Sequence, residues 1–123
     1  PASAMYRIFV YGTLKRGCKN HRHLAGQTYV GEARTAPGFR LCDLGSYPGM
    51  VPAPTDREGV AGELWDVDTA TLARLDDFEG VPEGLYNRVR VPIITPPDTP
   101  HADAYLYARS VEGLPEIGPV WEE

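Results

Sequence analysis

The 123-residue chain is 42% hydrophobic and 24% charged, which is ordinary for a folded globular domain and unlike a disordered segment. Its formal net charge of -5 and its isoelectric point near 5.1 argue against nucleic acid as a general partner. Because the longest apolar runs cover only a few residues, we expect no membrane-spanning helix, no signal peptide and no membrane partner.

The length is that of one domain, which we place at residues 5–123, and residues 1–4 are interpreted as a tag remnant or a disordered start. Cys18 and Cys42 are the two cysteines, and they do not form a CxxC motif. We therefore expect both cysteines to be reduced thiols and the protein to be cytoplasmic. The oligomeric state is left open by the sequence.

The first predicted strand runs from Tyr6 to Tyr11 and is apolar on both alternating faces apart from Arg7, which is typical of a strand covered on both sides. Gly12 follows where this strand must turn, and a residue without Cβ lets another group approach the backbone closely. The amides of Gly12, Thr13 and Leu14 would then be free to bind an anion or an oxyanion. A tight turn without any ligand explains the same residues.

A short helix is predicted after this turn, capped by Asn20 and continuing through His21 to Leu24. Five of the 12 basic residues lie in the first 22 positions, where they form either an approach for an acidic substrate or a solvated face. They are Arg7, Lys15, Arg16, Lys19 and Arg22.

Cys18, His21 and His23 are close in sequence and have side chains suited to zinc, but a fourth ligand is not evident and the neighbouring cations oppose a dication. The segment from Gly12 to Gly17 has the glycine spacing of a Walker loop but lacks the lysine and the serine or threonine that follow it. We therefore expect neither a metal nor a nucleotide.

One longer helix is predicted from Thr69 to about Phe78, with Asp68 as its N-cap and Gly80 just beyond its end. Leu72, Leu75 and Glu79 follow i, i+3, i+7 spacing and form one stripe. Glu79 would be partly desolvated at the negative end of the helix dipole, and both effects raise a carboxyl pKa. Alternatively, Glu79 lies in solvent within an acidic cap.

The rest of the chain is predicted to form short strands, and the segment 60–67 is expected to bury one face. Pro92 indicates an edge or a bulge, and the tail from Glu112 is expected to dock loosely. The other predicted strands are 27–34, 39–44, 50–51, 86–94 and 103–109. The fold class is therefore α+β, with a small mixed, mostly antiparallel and barrel-like sheet and one or two main helices.

Three ordered motifs resemble the γ-glutamylcyclotransferase-like superfamily, and its γ-glutamylamine cyclotransferase or AIG2-like branch in particular. They are Phe9–Gly17 with Asn20-His21, Gly62–Asp68, and Leu75–Gly80 with Tyr86-x-Arg88. The resemblance spans roughly residues 6–109, whereas residues 26–58 match poorly. It implies a small mixed barrel with a substrate cavity at the barrel mouth.

The resemblance also implies roles for individual residues. Glu79 matches the catalytic glutamate, and residues Tyr11, Gly12, Thr13 and Leu14 match the loop that binds the γ-glutamyl group. Tyr86 and Tyr107 are the further candidates for substrate binding. The implied partner is a small γ-glutamyl amine or peptide, and no cofactor is needed.

The implied reaction is an attack of the substrate's α-amine on its own γ-glutamyl carbonyl, which releases 5-oxoproline and a free amine or amino acid. The sequence does not identify the amine that leaves. A γ-glutamyl hydrolase or acyltransferase on the same scaffold and a non-catalytic binding module are the alternatives.

Overall fold

The computed structural model describes residues 4–123, and its strands and helices agree in order with the sequence predictions. Residues 1–4 were interpreted as a tag remnant or a disordered start, and three of them, residues 1–3, lie outside the described part of the chain. The elements are β1 (Met5–Val10), a 3₁₀ helix (His21–Leu24), β2 (Thr28–Thr35), β3 (Phe39–Asp43), β4 (Pro48–Pro52), β5 (Ala61–Asp68), α1 (Thr69–Phe78), β6 (Tyr86–Thr95), β7 (His101–Tyr107) and β8 (Glu116–Ile117). Over residues 4–123, no helix has the length and apolar character needed to cross a membrane.

Five strands form a closed ring in the order β1, β5, β2, β6 and β7. The antiparallel pairs are closed by a parallel contact between Ile8 of β1 and Asp103 of β7. A three-stranded extension of β4, β3 and β8 leaves β7 through a parallel contact between Met50 and Leu106. This arrangement confirms the predicted α+β class with a mixed, mostly antiparallel sheet.

Two apolar clusters cover opposite faces of β1 over residues 8–10, as the sequence predicted, whereas Met5, Tyr6 and Arg7 at the start of the strand are exposed. Phe9 belongs to the cluster that includes Leu64 and Met50, whereas Ile8 and Val10 belong to the cluster that packs beneath α1. A buried strand of this kind holds the turn that follows it in a fixed position.

The prediction that β5 buries only one face is wrong. Leu64 contributes to one cluster, and Trp65 and Val67 contribute to the other. The second face is covered because α1 folds back over β5 and packs Leu72 and Leu75 against it. The alternation of β5 alone contains no sign of this helix.

The ends of α1 are set by the residues that the sequence singled out. The Asp68 carboxylate accepts a hydrogen bond from the Thr71 amide at 2.8 Å, as an N-cap does. Gly80 follows the helix with a φ of 68°, a conformation that glycine adopts without steric penalty. These contacts confirm the predicted helix.

Three smaller expectations need correction or refinement. Asn20 precedes the 3₁₀ helix but makes no side-chain cap. The C-terminal tail contacts the rest of the fold at specific points, because β8 pairs with β3 and Trp121 packs against the first cluster, but none of residues 112–123 is buried. The pairing of β6 with β2 skips one residue near the end of β6, so the predicted bulge is present. Pro92 itself is not at a sheet edge, because it pairs with His101 of β7 on one side and accepts from the Ala36 amide on the other.

Candidate functional site

A cavity of about 330 Å³ lies beyond the end of β1, between the turn at residues 11–14, the β3–β4 loop and the C-terminal end of α1. It brings together most of the site residues predicted from the sequence. Those that line it are Tyr11, Gly12, Thr13, Leu14, Glu79 and Tyr86. Segments far apart in sequence thus converge on one concave site, as ligand sites commonly do.

The turn after β1 requires glycine at position 12 because another chain segment touches it. A Cβ atom on residue 12 would lie 2.8 Å from Cγ of Pro48, at the start of β4. Any larger side chain would have to push the turn and the β3–β4 loop apart. Gly12 thereby lets two walls of the cavity meet.

The amides of this turn are available to a ligand. No acceptor within residues 4–123 receives a hydrogen bond from the backbone N–H groups of Gly12, Thr13 or Leu14. The turn is held from the other side, since the Asn20 amide donates to the Thr13 carbonyl at 2.9 Å and the Asn20 side chain donates to Thr13 Oγ1 at 3.0 Å. A fixed turn with unpaired N–H groups can bind a carboxylate or an oxyanion.

Among the described residues 4–123, Glu79 is the acidic residue that lines this cavity. Its backbone N–H donates a hydrogen bond to the Leu75 carbonyl of α1 at 2.8 Å, and its side chain is partly buried. Burial raises the pKa of Glu79 from 4.5 to about 7. This confirms the predicted desolvation and is contrary to the alternative of a solvated acidic cap.

The Glu79 carboxyl group has no hydrogen-bond donor among the described residues 4–123. It is therefore free to exchange a proton with a molecule in the cavity. A carboxyl group with a pKa near neutrality and no fixed partner is suited to general acid–base chemistry.

Two cavity tyrosines use their hydroxyl groups to hold the walls together. Tyr11 donates to the Tyr105 carbonyl at 2.6 Å and accepts from the Met50 amide at 3.0 Å, and Tyr86 donates to the Pro48 carbonyl at 2.8 Å. Burial raises the pKa of both phenols far above neutrality, so both stay protonated. Their rings shape the cavity while their hydroxyl groups fix β4 and β7.

Tyr107 does not line the cavity, contrary to the expectation from the resemblance. It shares a face of β7 with Tyr105, but its ring packs edge-on against Tyr86 at a centroid distance of 5.4 Å. Its Cβ also lies against Gly49, where an added Cβ would be only 2.9 Å away. Tyr105, two residues earlier, lines the cavity instead.

A charged network that the sequence reasoning did not assign holds the C-terminal end of α1. The Asp76 carboxylate accepts from the Tyr105 hydroxyl at 2.7 Å and from Arg88 Nε at 2.9 Å. Arg88 also donates to Asp103 at 2.7 Å. Because Asp76 precedes Glu79 by less than one helical turn, this network fixes the place from which Glu79 enters the cavity.

The residues considered for zinc have other neighbours. Within residues 4–123, no group of three or more His, Cys, Asp or Glu side chains could hold a metal ion. The ring of His21 packs against Trp65 at 5.2 Å, and that of His23 packs against Phe78 at 4.2 Å.

Comparison with known proteins gives consistent similarities. The family described as "Gamma-glutamyl cyclotransferase, AIG2-like" matches residues 8–122. The chain is 40% identical over 96 residues to the γ-glutamylaminecyclotransferase of Rattus norvegicus, which covers 72% of this chain and 64% of the rat protein. It is 36% identical over 110 residues to the γ-glutamylcyclotransferase family protein YtfP of Escherichia coli K12, covering 88% of each chain.

The fold has solved counterparts as well. The crystal structure of an AIG2-like protein from Mus musculus superposes with a TM-score of 0.81 and 31% identity, covering 92% of this chain and 86% of the mouse chain. The solution structure of YtfP from Escherichia coli gives a TM-score of 0.65 and 34% identity over 94% of both chains. The family match includes all the cavity-lining residues named above.

Proposed function

Since the chain belongs to the γ-glutamyl cyclotransferase, AIG2-like family, we propose that it converts a small γ-glutamyl amine or peptide into 5-oxoproline and a free amine. The observation that carries this proposal is a partly buried, unpaired carboxyl group, that of Glu79, in the same cavity as the unpaired turn amides. The family match and the rat relative's name support the reaction class.

The reaction needs no nucleophile from the protein. The substrate's α-nitrogen attacks its own γ-carbonyl carbon and forms the new C–N bond of a five-membered lactam. The tetrahedral intermediate then expels the amine as the original amide C–N bond breaks. A cavity that folds the substrate so that the nitrogen approaches the carbonyl carbon accelerates this step by proximity.

Glu79 would carry the proton between the two nitrogens. In its deprotonated form it takes a proton from the attacking amine, and it then returns that proton to the departing nitrogen. A pKa of about 7 suits both roles, because the group is neither a very weak base nor a very weak acid near neutral pH.

The turn at Gly12, Thr13 and Leu14 would hold the negatively charged part of the substrate. Its unpaired amides can bind the substrate's α-carboxylate or stabilise the oxyanion that develops on the γ-carbonyl oxygen. Tyr11 and Tyr86 would bind the substrate through their rings, since their hydroxyl groups are already engaged.

The direct test is a panel of L-γ-glutamyl amides and dipeptides incubated with the purified protein, with products identified by mass spectrometry. We expect 5-oxoproline from at least one compound. Glu79→Gln should lower kcat/KM about a hundredfold to ten-thousandfold, because the amide cannot carry the proton. Asp77→Asn, an exposed acid that does not line the cavity, is the matched control.

The alternatives give different products. Release of glutamate in place of the lactam would indicate a hydrolase, and binding without turnover would indicate a binding module. Near-normal turnover by a folded Glu79→Gln protein would contradict the role given to this residue.

A further inference from the structure

The cavity has a buried inner end and an exposed outer end. Tyr11, Thr13 and Leu14 are buried at the inner end, whereas Lys19, Ser46 and Tyr47 are exposed at the mouth. Among residues 4–123, Lys19 is the cationic side chain that lines the cavity. The cavity therefore has an acidic residue, Glu79, and a cationic residue, Lys19, on its walls.

We propose that Lys19 determines specificity, favouring γ-glutamyl substrates whose leaving amine carries a carboxylate. This inference rests on the proposed function. If the γ-glutamyl end is held at the Gly12 turn beside Glu79, the rest of the substrate extends toward the mouth. A carboxylate on the leaving amine then comes within reach of the Lys19 ammonium.

The charge of Lys19 is available for this contact. Its Nζ donates to the carbonyl oxygen of Ser46, a neutral acceptor across the mouth. Within residues 4–123 its ammonium forms no ion pair, and Glu123 accepts from the backbone N–H of Lys19 at 2.8 Å. An ammonium has three donors, so two remain for a ligand.

The other cations of this segment are engaged elsewhere. Arg16 pairs with Glu63 at 3.1 Å, and Lys15 donates to the Trp121 carbonyl at 2.6 Å. Arg22 is exposed and donates to the Lys19 carbonyl at 3.0 Å. Lys19 is thus the cation of the segment that faces the cavity.

The same placement disfavours cationic leaving groups. The terminal ammonium of a γ-glutamyl polyamine would lie beside the like charge of Lys19, whereas the cavity carboxylate of Glu79 lies next to the γ-glutamyl end. The acid near Lys19, Glu123, does not line the cavity and accepts hydrogen bonds from the Lys19 backbone N–H and from Trp121 Nε1. γ-Glutamyl amino acids are therefore the favoured class, and γ-glutamyl polyamines are the disfavoured one.

The test compares two substrates that differ by one carboxylate, L-γ-glutamyl-L-alanine and L-γ-glutamyl-ethylamide. We expect the unsubstituted protein to prefer the dipeptide in kcat/KM, mainly through KM. Lys19→Met should lower the dipeptide-to-ethylamide ratio about three- to tenfold, the effect of removing one partner of a partly exposed ion pair. Lys19→Glu should lower the ratio further, and Lys19→Arg should retain most of it.

Arg22→Met is the control, because it removes a neighbouring charge that does not line the cavity, and its ratio should equal that of the unsubstituted protein. Thermal melts establish that each variant is folded. If both compounds are converted and the dipeptide-to-ethylamide ratio of kcat/KM is the same in the Lys19 variants as in the unsubstituted protein, this inference alone is overturned. The same holds if the ratio falls equally in Arg22→Met. Absence of lactam from both compounds, when another member of the γ-glutamyl panel is converted, would also contradict this inference alone. Absence of lactam from the whole panel would contradict the proposed function.

Discussion

Glu79 combines two positions that both disfavour its charge, the end of a helix and the wall of a partly apolar cavity. Burial raises its pKa from 4.5 to about 7 in the folded protein. At pH values between 4.5 and about 7, the Glu79 carboxyl group keeps its proton in the folded chain but has lost it in the unfolded chain. The free energy of unfolding therefore falls as pH rises from about 4.5 to 7, and the destabilisation is complete above that range.

Glu79→Gln should remove this pH dependence. The variant should match the unsubstituted protein below about pH 4 and exceed its free energy of unfolding by about 1–3 kcal/mol above pH 7, because glutamine has no charge to desolvate. Thermal or urea unfolding of both proteins at several pH values measures the difference. Asp77→Asn is the control. If the free energy of unfolding of Glu79→Gln follows the same pH dependence as that of the unsubstituted protein, the Glu79 carboxyl group is not desolvated.

At this scale the sequence predicted some of the cavity-lining residues and not others. Glu79 was placed by helix periodicity and Gly12 by its position after a buried strand, and both line the cavity. Tyr105 and Tyr107 share one face of a strand, so alternation cannot decide which of them reaches the cavity. That choice depends on the ring of Tyr86, which packs against Tyr107 from a different strand.

Among the elements, α1 depends on contacts at both ends to present Glu79, the residue that follows it, to the cavity. Asp68 begins the helix, and Asp76 joins its last turn to Arg88 on β6 and Tyr105 on β7. Arg88 is about 30% exposed and Asp76 about 25%, so their pair contributes modestly to stability. Its main effect is to fix the helix end beside the ring of strands.

Asp76→Asn should therefore impair catalysis more than folding. Asparagine keeps the shape but weakens the contacts with Arg88 and Tyr105, so we expect kcat to fall about tenfold as Glu79 loses its fixed position, with a smaller change in KM. Steady-state kinetics beside thermal melts separates the two effects. Asp77→Asn, on the exposed side of the same turn, is the matched control, and equal kcat values for the two variants would contradict the positioning role.

The limits of the elements were predictable where local residues set them. Asp68 and Gly80 define α1 without help from the rest of the chain. The burial of both faces of β5 and the docking of the tail were not predictable, because each depends on a partner distant in sequence. Leu72 and Leu75 cover β5, and β3 supplies the edge to which β8 pairs.

At the scale of the whole molecule, the sheet consists of a closed ring and an extension of β4, β3 and β8, and the β3–β4 loop with Pro48 lines the cavity. The extension adjoins the ring through the parallel contact between Met50 and Leu106. Two cavity tyrosines add hydrogen bonds to the same strand, Tyr11 to the Met50 amide and Tyr86 to the Pro48 carbonyl. The hydrogen bonds that shape the cavity therefore also hold the extension against the ring.

Native-state hydrogen exchange should reveal this coupling. Tyr11→Phe removes the hydroxyl that accepts from the Met50 amide and donates to the Tyr105 carbonyl, at a cost of about 1–3 kcal/mol for the two hydrogen bonds together. We expect the Met50 amide to exchange about fivefold to a hundredfold faster, with smaller changes in β5, since local opening of the extension leaves the ring intact.

Tyr107→Phe is the control, because the Tyr107 hydroxyl makes no hydrogen bond within the described residues 4–123. It should leave exchange in β4 unchanged. An equal acceleration of Met50 and β5 amides in Tyr11→Phe would mean that the molecule opens only as one cooperative unit.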